Sequence, residues 1–280
     1  MAGSYKNVKK LLEEAKVKGH KELDLCDRGL INLTDLPTWN RLRHLTTLTL
    51  SHNKISAIPP AISDLSNLEC LILCNNAIQE LPECINQLLK LKYLNLSVNL
   101  LSTLPRGFGV FPSLQILDMT SNCLTDESFS SNFSLLTTLR ALYLGDNEIE
   151  NVPPEFGKLK SLQILVLRDN YAISLPNEIG NLSDLKELHL QGNRLTVLPP
   201  ALADLGLNIS NGVIRLSENP YVKPIASQLA NGIDKLMEYL KSDTYKYLYS
   251  RHLQQAATDI PPKIELDHKL SRSQKKIKSI

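Results

Sequence analysis

The sequence predicts an α/β solenoid in which short parallel strands form a curved sheet on the concave face. Irregular or 3-10 segments run along the convex face, and helices cap both ends. Three observations carry this. An asparagine recurs at Asn53, Asn76, Asn99, Asn122, Asn147, Asn170 and Asn193, in steps of 23 residues with one step of 25. Each closes the pattern L-x-x-L-x-L-x-x-N-x-L, in which Ile or Met replaces some leucines and Ala172 takes the last position after Asn170. Outside the array the apolar spacing changes to that of a helix. The pattern, kept over seven registers, defines a leucine-rich repeat.

Each position has a physical reason. In the stretch LKYLNLSVNLLSTLPRGF, alternation points Leu94 and Leu96 inward and Tyr93, Asn95 and Ser97 outward. At Asn99 the chain bends inward and its backbone groups lose their sheet partners. A stacked column of asparagine side chains bonds the neighbouring turns instead. Further on, Leu104, Phe108 and Phe111 pack the return arm, and the proline after Leu104 fixes an extended turn. The same pair recurs at Ile58-Pro59, Leu81-Pro82, Leu175-Pro176 and Leu198-Pro199.

The ends deviate because a terminal coil has a neighbour on one side only. KELDLCDRGL keeps Leu23, Leu25 and Leu30 but has Arg28 in the asparagine slot, and VIRLSENPYV places Asn219 in a stretched last repeat. Val8, Leu11, Leu12 and Ala15 define one face of an N-terminal helix; Ile225, Leu229, Ile233, Leu236 and Leu240 define a face of a second helix after the array. Both would keep a terminal leucine layer out of water. The expected organisation is a capping helix over 1–20, eight to nine repeats over 21–222, a helical cap over 223–258 and a flexible basic tail over 259–280. In DTYKYLYSRHL, the tyrosines Tyr245, Tyr247 and Tyr249 are expected to pack back on the cap.

Charge is balanced, with 31 basic against 29 acidic residues, so nucleic acid or an anionic membrane is not the expected partner. The opening residues are interrupted by lysines and glutamates, and no stretch approaches the roughly 20 apolar residues of a membrane span. The chain reads as intracellular, soluble and monomeric on its own. An odd number of cysteines, Cys26, Cys70, Cys74, Cys84 and Cys123, fits a reducing compartment, and sequons such as those at Asn95, Asn132 and Asn181 would be silent there. No phosphate loop, zinc helix, nucleophile elbow or dinucleotide fingerprint occurs, so no enzyme and no cofactor is expected. Cys70 and Cys74 make an incomplete zinc set, with no converging histidines. His52 and His189 are expected on the concave sheet, several strands apart.

Binding information is expected on the outward strand positions. One row reads Asp24, Thr49, Ile72, Asn95, Asp118, Tyr143, Val166, His189 and Arg215. Two residues earlier lie Glu22, Thr47, Cys70, Tyr93, Ile116, Ala141, Ile164, Glu187 and Val213. Val98, Ser121, Asp146, Arg168 and Asp169 follow toward the asparagine side. An apolar, tyrosine-bearing middle with a carboxylate rim suits a protein partner of basic or mixed charge.

The stretches LPRGFG, LTTLRALYL, KSLQIL with LRDN, LKELHLQGNRLTVLPP and TYKYLY with RH are more specific than the repeat. In them the chain resembles the Ras suppressor family of cytoplasmic leucine-rich repeat adaptors, through about residue 252. The resemblance implies binding to the C-terminal LIM domain of a PINCH-type adaptor. It thereby implies membership of the complex of integrin-linked kinase, PINCH and parvin at integrin adhesions, with negative influence on Ras signalling. The residues expected to contact the partner are Tyr93, Asn95, Asp118, Tyr143, Asp146, Val166, Arg168, Asp169 and His189. The alternative is a scaffold that engages a Ras-family GTPase or a phosphatase directly.

Overall fold

A computed structural model describes residues 2–34, 39–208, 212–258 and 260–263. The chain divides into two compact units, Met1–Ala141 and Leu142–Ile280. Apart from 260–263, the segment expected as a flexible tail lies outside the described residues.

The first unit opens with helix α1 (Ala2–Lys18) and continues through strands β1 (Glu22–Asp24), β2 (Thr47–Thr49), β3 (Cys70–Ile72), β4 (Tyr93–Asn95) and β5 (Ile116–Asp118). These pair in chain order, all parallel, with Leu23, Leu48, Leu71, Leu94 and Leu117 in register and buried. Val8, Leu12 and Ala15 of α1 are buried, and α1 packs on β1. Here the helix does what a terminal coil requires, covering leucines that no earlier repeat covers.

The asparagine column is built as the pattern predicts. Asn99 donates from Nδ2 to the carbonyls of Leu73 (3.0 Å) and Leu96 (2.9 Å), and its Oδ1 accepts from the amide of Ile78 at 3.0 Å. In the first unit Asn53, Asn76, Asn99 and Asn122 thus each reach back to the preceding coil. Asn53 does so toward the first coil, accepting from the amides of Arg28 and Leu30 and donating to the carbonyl of Leu25. No strand precedes β1 among the described residues, so an asparagine at position 28 would have no preceding turn to bond.

The 25-residue step has its own device. In place of a Leu-Pro pair, Thr125 and Ser128 bracket a 3-10 turn over Asp126–Ser128, and the Ser128 hydroxyl donates to the carbonyl of Ser102 at 2.8 Å. Behind it Phe108, Phe111, Phe129 and Phe133 are all buried, with ring centroids 5.1 to 6.4 Å apart in the contacting pairs.

Strand β6 (Ala141–Tyr143) carries the division between the units. In the second unit, β7 (Ile164–Val166), β8 (Glu187–His189) and β9 (Val213–Arg215) pair in parallel, and helices α2 (Lys223–Ala230), α3 (Ile233–Lys241) and α4 (Asp243–Thr258) follow. Asn170, Asn193 and Asn219 repeat the backward bonding, at 2.9 to 3.0 Å to the carbonyls of Leu144, Leu167 and Leu190.

The helical face expected over Ile225–Leu240 is divided. α2 ends at Ala230 with Asn231 as its cap, and Gly232, at φ 111°, starts α3 in a backbone state that glycine adopts without steric cost. Ile225, Leu236 and Leu240 are nonetheless buried. Of the three tyrosines, Tyr245 is buried and donates its hydroxyl to the carbonyl of Leu198 at 2.6 Å, whereas Tyr247 is 85% exposed. α4 is therefore tied to the last Leu-Pro pair through one side chain.

One feature of the turn has no counterpart in the apolar pattern. The residue before each asparagine adopts a left-handed conformation, with φ of 55 to 57° at His52, Asn75, Val98, Ser121, Asp146 and Asp169, and 68° at Gly192. His52 accordingly belongs to this turn, against the expectation that it lies on the sheet, and its Nδ1 meets Asn75 Nδ2 at 2.8 Å.

Candidate functional site

Strand pairing places the outward residues in the rows that alternation predicts. In the first unit Thr49, Ile72, Asn95 and Asp118 are successive partners, as are Thr47, Cys70, Tyr93 and Ile116. All are partly exposed. Asn95 donates to the Tyr93 hydroxyl oxygen at 3.2 Å, while its Oδ1 accepts from the Ser97 hydroxyl (2.7 Å) and amide (2.9 Å). These bonds hold the amide group and the phenol side by side. Asp118, paired with Asn95 across the ladder, accepts from the Thr120 amide at 2.9 Å, which sets its carboxylate orientation and leaves the second oxygen for other donors.

The thiols beside this row are electrostatically quiet. Burial is the main cause that pushes Cys70 and Cys74 above the usual thiol range; Glu22 adds to it for Cys70, and at Cys74 a hydrogen bond with Ser51 works the other way. The thiol form therefore dominates at neutral pH, and the thiolate that a metal or electrophile needs is scarce. Among the described residues no group of three or more His, Cys, Asp or Glu converges on a metal position.

In the second unit Val166 and His189 are ladder partners, and Arg215 follows. His189 Nε2 lies 3.4 Å from Glu187 Oε2 on the same strand. The Arg168 guanidinium donates to the Asp169 carboxylate. This pair rests on two glycines. A Cβ at Gly145 would come within 3.1 Å of Arg168 Cγ, and one at Gly192 would overlap Asp169 Oδ1. Leucine spacing gave no sign of either glycine; their signal is position, since each precedes or nearly precedes the repeat asparagine in GDN and GN.

Tyr143, Arg168, Asp169 and His189 are partly exposed, whereas Asp146 and Val166 are each only 8% exposed. Ala141 of the first unit is also buried, and Ile72, Ile116 and Ile164 are half-buried. Of the apolar middle anticipated from the rows, Ala141 and Val166 are covered, whereas Ile72, Ile116 and Ile164 stay partly exposed beside the polar and aromatic side chains.

A chemistry of recognition follows: phenols, an amide, carboxylates and a guanidinium, held in place by bonds within the strand face. No helix among the described residues is long and apolar enough to cross a membrane.

Comparison with known proteins agrees with the repeat fold. The family model described as a leucine-rich repeat region matches residues 18–144 and 108–207. Human Ras suppressor protein 1 is 61% identical over 269 residues, covering 95% of this chain and 96% of the relative. The bovine and mouse proteins of that name are 60% and 58% identical over the same span, with the same coverage. Among solved structures, a Leptospira interrogans leucine-rich repeat protein superposes with a TM-score of 0.55 at 29% identity, over 70% of this chain and 55% of its own. The leucine-rich repeat ectodomain of the Arabidopsis receptor kinase HAESA, in complex with an N-terminally extended IDA peptide hormone ligand, reaches a TM-score of 0.58 at 28% identity, over 71% of this chain and 34% of its own.

Proposed function

The chain belongs to the Ras suppressor protein 1 family of leucine-rich repeat proteins, and on that premise we propose a non-enzymatic adaptor whose outward strand residues bind the C-terminal LIM domain of a PINCH-type protein. Through that domain it joins integrin-linked kinase and parvin at integrin adhesions in the cytoplasm, acting as a monomer and restraining Ras signalling. The observation that supports the reading is the polar and aromatic character of the outward positions: in the first unit Tyr93 bonded to Asn95, and Asp118; in the second the partly exposed Tyr143, Arg168 paired with Asp169, and His189.

A LIM domain is a small zinc-stapled module with an exposed surface of mixed polarity, and such a surface matches this set better than a phosphate backbone would. Tyr143 is the anchor, desolvated on binding, with Asp118 and Arg168 making charge-assisted hydrogen bonds. Asp146 and Val166, already covered, contribute by holding neighbours rather than by large new contact.

Titration of the isolated LIM domain against the full chain tests this, with Tyr143→Ala, Asp118→Ala and Arg168→Ala as variants. Each is expected to weaken binding by about tenfold or more, as truncation at the centre of an interface does. Full affinity in all three, with loss on deletion of the C-terminal tail, refutes the assignment. Nucleotide-dependent binding to a Ras-family GTPase, without LIM binding, favours direct GTPase engagement instead.

A further inference from the structure

The second unit carries a groove of about 520 Å³ beside the turns that follow its last strands, bordered on one side by Asp169. Its floor includes Tyr171, Arg194 and Pro220, the residues immediately after the repeat asparagines Asn170, Asn193 and Asn219. Pro261 and Pro262 lie against it. Arg194, 9% exposed, donates from Nε to the Pro261 carbonyl at 2.7 Å and again from a terminal nitrogen. Lys263 pairs with Glu150, and its ammonium stands 5.3 Å from the centre of the Tyr171 ring. A second terminal nitrogen of Arg194 lies 3.6 Å from Glu150.

We propose that the edge of this groove formed by Arg194, Tyr171 and Glu150 is a binding site for an extended Pro-Pro-Lys segment, which residues 260–263 provide in cis. The chemistry matches at three points. Prolines hold the chain extended before binding, so little conformational entropy is lost on docking. The half-buried Pro261 carbonyl accepts two hydrogen bonds from the Arg194 guanidinium. The lysine finds an aromatic face and a carboxylate together. A partner presenting the same three features in trans competes with the chain's own segment for the groove.

The probe is a fluorescent peptide of residues 258–265, TDIPPKIE, titrated against the full chain by anisotropy. Wild type is compared with an unlatched chain carrying Pro261→Gly, Pro262→Gly and Lys263→Glu. The unlatched chain is expected to bind the peptide about tenfold more tightly, because an occupied site lowers apparent affinity by its unoccupied fraction. Adding Arg194→Met removes this binding, and adding Glu150→Gln, a surface change that spares the core, weakens it. A peptide with both prolines as Ala and the lysine as Glu does not bind. Equal peptide affinity in wild type and unlatched chain overturns the proposal, as does binding that ignores Glu150→Gln or the altered peptide.

Discussion

At the scale of single residues, Val98 shows a conflict between side chain and backbone. It holds φ of 55° at a position where the same turn elsewhere takes His, Asn, Ser, Asp, Glu or Gly, none of them β-branched, and it is 48% exposed. A β-branched residue in the left-handed region is sterically strained, whereas asparagine tolerates it. Val98→Asn is therefore expected to raise stability by about 1 kcal/mol, read as a higher urea midpoint at unchanged slope. Asn99 is the opposite case. Its buried amide serves three carbonyls and one amide, so Asn99→Ala strands them and is expected to cost about 1–3 kcal/mol in the same measurement. The asparagine's role was legible because it recurs, but the left-handed residue before it was not: His52, Val98, Asp146 and Gly192 share a backbone angle and no side-chain chemistry.

At the scale of elements, the return arms set the spacing of the coils. Gly157 follows buried Phe156, and a Cβ there would overlap the carbonyl of Glu178 in the next arm; Gly109, after Phe108, stands likewise against the backbone of Asn132. Gly157→Ala must push two arms apart, and a loss of about 1–3 kcal/mol is expected, visible as a lower melting temperature. The C-terminal helices hold by a different contact. Burial, the largest cause, keeps the Tyr245 phenol protonated well above its ordinary value of 10.0, against the smaller opposing effect of its bond to Leu198. In the unfolded chain that phenol ionises near pH 10. The folded state thus retains a proton that the unfolded state releases, so the associated stability is complete below about pH 9 and falls as pH rises further. Tyr221 and Tyr249, both half-buried, shift the same way, with burial as the cause. Tyr245→Phe is expected to flatten, without abolishing, the alkaline decline in the urea midpoint.

At the scale of the whole molecule, each unit is a linear series in which a coil is stabilised by its neighbours. Within the second unit the central leucines Leu165 and Leu188 are buried, but Ile214 of β9 is only partly so. Amide exchange is expected to be faster for Val213, which donates to Lys186, than for Glu187, which donates to Gln163, despite hydrogen bonds of 2.8 and 2.9 Å. Equal protection would contradict a gradient toward the end of the array. The sequence by itself determined the repeat, the register of the outward rows from Glu22 to Asp118 and from Ile164 to Arg215, and the asparagine column, because a coil faces a neighbour with the same pattern one period away. Only the tertiary structure decided that Val166 and Asp146 are covered, that Gly145 and Gly192 make room for Arg168 and Asp169, and that Arg194 bonds Pro261 across a separation of 67 residues. Such contacts join unlike residues at no fixed interval, so periodicity carries no trace of them; they exist where packing brings particular surfaces within reach.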